Sequence, residues 1–172
     1  MNETTAVSSP AGDLILRPER DDDEAFRLEL FCASRQPEFA RLLAPDMLAT
    51  IMRQQFHAQA VSYRGRFPRA RGDIVELAGK PIGRIMVDRG DKVLHIVDQA
   101  ITPALRNRGI GTAIMRALMA EAQQTRRAVR LGVAAANEQA LRLYRRLGFG
   151  PIETTEHYLW LEWRPDAAAD AC

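Results

Sequence analysis

The chain has 172 residues, 47% hydrophobic and 27% charged, with 24 basic side chains against 22 acidic ones and a net charge of +2. That length fits one domain able to bury a core without disulfides or metal, and the near-balanced charge excludes nucleic-acid binding by bulk electrostatics. Cys32 and Cys172 lie far apart and form neither a disulfide framework nor a zinc pattern, which points to a reducing, cytoplasmic setting. No basic start with an apolar run marks a signal peptide, and no stretch approaches the ~18 apolar residues of a membrane span.

Taken in order, residues 1–12, rich in Ser and Thr with Pro10 and Gly12, read as a flexible N-terminal tail, and 165–172, rich in Ala and Asp, as a C-terminal one. The domain lies between, over 13–164. Leu14-Ile15-Leu16-Arg17 predicts a short strand stopped by Pro18. Asp21, Asp22 and Asp23 supply caps and favourable charge for a helix over 24–34, with Phe26, Leu30 and Ala33 at helical spacing. Pro45-Asp46 opens a second helix reaching residue 63, with Met47, Ile51, Phe56 and Ala60 near one face. After a loop containing Gly65 and Pro68, strands follow at 73–77, 81–88 and 92–101. Ile110, Ile114, Leu118 and Ala122 mark a helix over 109–125. A continuous apolar strand over 128–133 suits burial on both faces. Asn137 caps a helix over 138–147 that Gly148 ends, and strands at 151–154 and 157–162 close the chain. The order β α α β β β α β α β β is an α/β (α+β, three-layer) arrangement. Its central sheet is mixed and mostly antiparallel, of about seven strands, with helices on both faces.

The strand at 92–101 runs through Thr102-Pro103-Ala104-Leu105 into Arg106-Asn107-Arg108-Gly109-Ile110-Gly111 and then a helix. Two glycines at a helix start let the backbone approach an anion, the first-turn N–H groups point at it, and the helix dipole favours its charge. With Arg106 and Arg108 as added cations this is a pyrophosphate cradle in physical terms; a glycine-rich turn with solvated arginines is the plain alternative. Two nucleotide signatures fail here. A Walker A loop needs a Lys-Ser/Thr pair after its last glycine, where this chain has Thr112-Ala113. A dinucleotide fingerprint needs a third small residue where Ile114 stands.

Arg106-x-x-Gly109-x-Gly111 after a strand resembles the Q/R-x-x-G-x-G/A signature of the GNAT superfamily of N-acetyltransferases. Ile101-Thr102-Pro103 is similar to that family's strand exit, and Asn137…Leu143-Tyr144…Leu147-Gly148-Phe149 to its second motif. The likeness covers 13–164. It implies the GNAT-type acyl-CoA N-acyltransferase fold, acetyl-CoA as co-substrate, no metal, and transfer of the acetyl group to a primary amine by direct attack in a ternary complex. It further implies that the strand before the signature splays from 128–133 and that pantetheine pairs with backbone groups of Gln99, Ala100 and Ile101. The N–H groups of Arg108, Gly109, Ile110, Gly111 and Thr112 would hold the pyrophosphate, beside Arg106 and Asn107. Asn137 belongs to the cofactor-binding set, and Arg145 reaches a CoA phosphate or stays on a solvated face. The implied partner is a small-molecule or peptide amine, with no nucleic acid and no membrane; the family forms both monomers and homodimers.

Acetyl transfer needs a deprotonated amine, a donor for the oxyanion and a proton for the departing thiolate. Tyr144 holds the family's position for the acid, and a phenol and a thiol differ by only a couple of pKa units; a packed core tyrosine is the alternative. His95 and Asp98 are the titratable residues on the key strand. Three positions apart, they point to opposite faces of a regular strand, whereas a bulge between them, frequent in the family, puts both on one side. His95, with an ordinary pKa near about 6.5, is the expected base. Asp98 either binds the substrate ammonium or replaces it, and a water chain is the remaining route. Gln55, Gln59 and Tyr63 recur at helical spacing and read first as the polar side of an amphipathic helix, second as pocket lining. His157 and Trp160 fall where the family closes its acceptor cleft or pairs subunits. The rival reading is a non-catalytic acetyl-CoA-binding regulatory module of the same fold. Nucleic-acid binding through the arginine clusters lacks interleaved aromatics.

Overall fold

A computed structural model describes residues 4–39 and 44–165 of the chain. Strands β1 (Thr5–Ser9) and β2 (Gly12–Pro18) precede helices α1 (Glu24–Phe39) and α2 (Pro45–Arg66). A meander of β3 (Arg71–Leu77), β4 (Lys80–Arg89) and β5 (Val93–Ile101) follows, then α3 (Ile110–Gln124), β6 (Ala128–Ala134), α4 (Glu138–Arg146), β7 (Gly150–Thr154) and β8 (Tyr158–Trp163). The strands form one sheet in the order β1-β2-β3-β4-β5-β6-β8-β7. Every neighbouring pair is antiparallel except β5 with β6. A parallel pair needs a long crossover, and α3 is that crossover.

Period-two alternation sends Ile85 and Val87 of β4, Leu94 and Ile96 of β5, and Val129, Leu131 and Val133 of β6 to one side, all of them buried. Ile110, Ile114, Met115 and Leu118 of α3 meet them at helical spacing, and Leu141 of α4 joins the same core. Burying side chains of this size contributes about 1.5–3 kcal/mol each before the entropy of ordering them. On the other side α1 packs across β4 and β5, and Phe31, Leu48 and Met52 form a smaller core between α1 and α2.

Four features depart from the sequence reading. The sheet has an eighth strand, because Thr5–Ser9 of the expected tail pairs with β2 and buries Val7 in the main core. A five-residue strand rich in Ser and Thr carries one apolar anchor, too little for a pattern to register. Residues 1–3, and 166–172 of the expected C-terminal tail, lie outside the described residues. On α2 the buried residues are Leu48 and Met52, while Met47 is exposed, because the face toward α1 is rotated from the one expected. Strand β6 is not buried on both faces: Arg130 is half-buried and Gly132 exposed, since the side away from α3 opens toward the site. Finally, α1 runs on to Phe39 instead of stopping at Ser34.

Candidate active site

The pairing of β4 with β5 sets the geometry. Asp88 opposes His95 and Val87 opposes Ile96, but Met86 opposes Asp98, so Val97 is an extra residue in β5. This bulge restores His95 and Asp98 to the same face, the one away from α3, because one inserted residue inverts the alternation. It also bends β5. Parallel pairing with β6 runs from Val93↔Ala128 to Ile96↔Leu131 and stops there. Beyond it the two strands part, and the edge of β5 over Asp98, Gln99, Ala100 and Ile101 has no described partner strand on that side.

The gap leads to the start of α3. Gly109 is the N-cap and has φ +80°, a left-handed conformation that any side chain would strain. A Cβ there would also lie 2.9 Å from Pro10 Cγ, in the turn between β1 and β2. Ala113 N–H donates to the Gly109 carbonyl at 2.9 Å. Among the described residues no carbonyl accepts from the N–H groups of Arg108, Gly109, Ile110, Gly111 or Thr112, which leaves a ring of donors at a helix N-terminus. Arg106 is turned away from that ring. Its Nε donates to the Ile101 carbonyl and its Nη2 to Ser34 Oγ, both at 3.0 Å, while its N–H donates to the Pro103 carbonyl. Its guanidinium therefore braces the loop. Asn107, also at positive φ (62°), accepts from the Gln139 side chain of α4. The Gln99 side chain donates a long bond, 3.4 Å, to the Gly111 carbonyl. Arg108 and Arg145 are exposed.

Asn137 caps α4, accepting from Ala140 N–H at 3.1 Å, and Gly148 ends the helix at φ +86°. This fixes Tyr144 on the inward side of α4, its ring 5.8 Å from that of Phe149. No described residue hydrogen-bonds its hydroxyl. Burial, and behind it the Asp98 charge, pushes the phenol up to about 12. Tyr63 of α2 is likewise pushed up to about 12 by burial and by Asp98, and its hydroxyl accepts from Gln59 Nε2 at 3.0 Å. Asp98 is raised by burial, against the opposing pull of Arg84, whose Nη1 donates to it at 3.3 Å, and of Arg35. Tyr144, Tyr63 and Asp98 thus belong to one electrostatic neighbourhood assembled from α4, α2 and β5. Of the three polar residues at helical spacing on α2, Gln59 and Tyr63 turn inward and Gln55 faces out.

His95 sits elsewhere on the same face. Its ring lies 4.6 Å from that of Phe67 and 5.5 Å from that of Trp160. Trp160 in turn covers Gly132, where a Cβ would approach its ring to 3.0 Å. Burial lowers the imidazole below its ordinary range, outweighing Asp88. Neither Tyr144 nor Asp98 is among the charges acting on it. His157 is far out, its side chain 83% exposed.

Sequence reasoning missed Arg84, Glu19, Gln139 and Phe67. A lone arginine amid Ile82, Ile85 and Met86 was the available signal for the first; its partners are remote in sequence and carried none. Among the described residues no group of three His, Cys, Asp or Glu side chains is placed to hold a metal ion, and no helix is long and apolar enough to cross a membrane.

The sequence pattern of the acetyltransferase (GNAT) family matches residues 29–149. An uncharacterized N-acetyltransferase of Methanocaldococcus jannaschii is 33% identical over 94 residues, covering 50% of this chain and 42% of the relative. An N-alpha-acetyltransferase of Sulfurisphaera tokodaii is 36% identical over 66 residues, 37% of this chain and 40% of the relative. The matched segments thus span less than half the length of these curated relatives. Among solved structures, PaiA N-acetyltransferase of Thermoplasma acidophilum, in complex with coenzyme A, aligns with TM-score 0.65 at 15% identity, over 88% of this chain and 98% of that one. PseH of Campylobacter jejuni, in complex with acetyl coenzyme A, aligns with TM-score 0.56 at 13% identity, over 89% and 99%. At such identity the structures speak to the fold alone. With its signature and its fold both matched, the chain belongs to the acetyltransferase (GNAT) family.

Proposed function

We propose that the protein transfers the acetyl group of acetyl-CoA to a primary amine, of a small molecule or a peptide, by direct attack in a ternary complex. The observation that carries this reading is the parting of β5 from β6 beyond Ile96 and Leu131. It leaves a slot that ends at the donor ring of α3 and beside Tyr144. The pyrophosphate sits on the N–H groups of Arg108, Gly109, Ile110, Gly111 and Thr112, with Arg108 and Arg145 as flanking cations. Arg106, Asn107 and Asn137 act by shaping the loop and capping α4. Pantetheine pairs with the backbone edge at Gln99, Ala100 and Ile101.

The amine must be neutral to attack. Asp98 takes its proton: burial has already raised the carboxyl, so a proton gained there also relieves a desolvated charge. The nitrogen lone pair adds to the thioester carbonyl, the C–N bond forms, and the C–S bond then breaks. The Tyr144 hydroxyl hydrogen-bonds the sulfur as negative charge develops on it and relays to it the second proton that the nitrogen loses as the amide forms, so the phenol ends protonated as it began. His95, neutral between two aromatic rings, forms a wall of the acceptor cleft in place of serving as base. Tyr63 and Gln59 line the opposite wall and orient the amine.

The test is an acceptor screen of small amines and peptide α-amines that follows free CoA thiol. Acceptor-dependent thiol release supports the reading. CoA binding without thiol release across the panel would instead favour a non-catalytic acetyl-CoA-binding module.

A further inference from the structure

Arg84 projects from β4 into the interior with its side chain only 13% exposed. Burying a guanidinium is costly unless carboxylates compensate it, and two do. Glu19, in the turn after β2, takes a short contact from Nε and a second from Nη2 at 3.3 Å. Asp98 receives one bond from Nη1 at 3.3 Å. Glu19 is itself built into place: its N–H donates to the Gly72 carbonyl at 3.0 Å, and Arg27 Nη1 donates to its carboxylate at 3.1 Å. Its carboxylate also occupies the room where a Cβ on Gly72 would stand, 2.3 Å away. The guanidinium is thus shared unequally, with its better geometry spent on Glu19.

We infer that Glu19 and Arg84 are positioning residues that set how tightly Asp98 holds a proton. Glu19 withholds Arg84 from full engagement with Asp98, so the guanidinium gives that carboxylate one long bond, beside a backbone hydrogen bond from Gln99, and the carboxylate keeps its affinity for a proton. A carboxylate in a bidentate pair with arginine would be a much poorer base. The other groups that face Asp98 are Arg35 from α1, Tyr63 from α2 and Tyr144 from α4. The catalytic consequence rests on the reading of Asp98 as proton acceptor; the electrostatic coupling does not.

The experiment measures two things in Glu19→Gln and Arg84→Gln: the titration of the Asp98 carboxyl by carbon-13 NMR, and kcat/KM against pH. Glu19→Gln frees Arg84 to turn to Asp98, so the carboxyl titration and the acidic limb both move to lower pH by about half a pH unit. Arg84→Gln moves both the opposite way. Where Arg84→Gln fails to fold, Glu19→Gln, which keeps the side chain's shape while removing its charge and one acceptor oxygen, decides alone. An Asp98 titration that stays at its wild-type position in Glu19→Gln, or moves upward, overturns the inference. A carboxyl that moves as expected while the rate profile stays put upholds the coupling and overturns Asp98 as the base.

Discussion

Replacing Tyr144 by Phe removes one oxygen and leaves the ring on Phe149, so the variant isolates the hydroxyl. Burial places that phenol at about 12, whereas a free thiol titrates near about 8.5. Complete proton transfer from Tyr144 to the thiolate is then uphill by about 3.5 pKa units, or about 5 kcal/mol. Tyr144 therefore acts chiefly by hydrogen-bonding the sulfur as charge builds up, an effect at the lower end of the general-acid range. We expect kcat to fall about 100-fold, or about 2.7 kcal/mol, with little change in melting temperature or in CoA affinity. A phenol at this position also stays protonated through the working range, so wild-type kcat shows no basic limb from Tyr144 below about pH 11. The assay is kcat at saturating acetyl-CoA, followed through free thiol from pH 6 to 10. A loss under about threefold would refute the assignment of the acid. A basic limb near pH 9 that vanishes in Tyr144→Phe would refute the elevated pKa on which the magnitude rests.

Gly109→Val places a branched side chain at φ +80° and against Pro10. With about 1–2 kcal/mol of strain to absorb, CoA affinity by calorimetry should weaken about tenfold or more; unchanged affinity would remove the cradle from this loop. Asp23, only 7% exposed, is drawn by Arg17, which holds it with bonds of 2.7 Å, from 3.8 down to about 2. Asp23→Asn should therefore cost about 2 kcal/mol at pH 7 in denaturant unfolding. Because the folded pKa is the lower one, that stabilisation is complete above about pH 4 and disappears as pH falls toward 2; a loss that persisted at pH 2 would contradict the pairing. Burial lowers His95 in the folded protein, so its contribution is present above about pH 6.5 and is lost as pH falls through the folded pKa. His95→Phe should flatten the stability profile in that window while leaving the acidic limb of kcat/KM, assigned to Asp98, in place.

Much of the fold was legible because its signals are local. The cap at Asn137, the stop at Gly148 and the Ile110-Ile114-Leu118 stripe each specify an element with residues a turn apart. The meander was read from turn chemistry at Ala78-Gly79 and Gly90. Strand β1 was not, since Val7 gains its burial from α3, over a hundred residues away. The site was legible where a motif fixed the backbone, at Gly109 and Gly111. It was ambiguous where function depends on which side chains converge. His95 read as the base ahead of Asp98, and the contacts that set their surroundings, the Phe67 and Trp160 rings on His95 and the Arg84 guanidinium on Asp98, are remote in sequence. Arg106 looked like a phosphate ligand because its charge was visible and the Ile101 carbonyl it braces was not. Glu19 and Arg84, sixty-five positions apart, had no sequence pattern to join them.

The central claim is that acetyl-CoA lies in the slot between β5 and β6 and ends on the first turn of α3. Amide hydrogen exchange with and without acetyl-CoA tests it most directly. The account predicts new protection at the N–H groups of Arg108, Gly109, Ile110, Gly111 and Thr112 and along Gln99, Ala100 and Ile101. Saturating acetyl-CoA that left both segments unprotected, with any new protection confined to other parts of the chain, would contradict it.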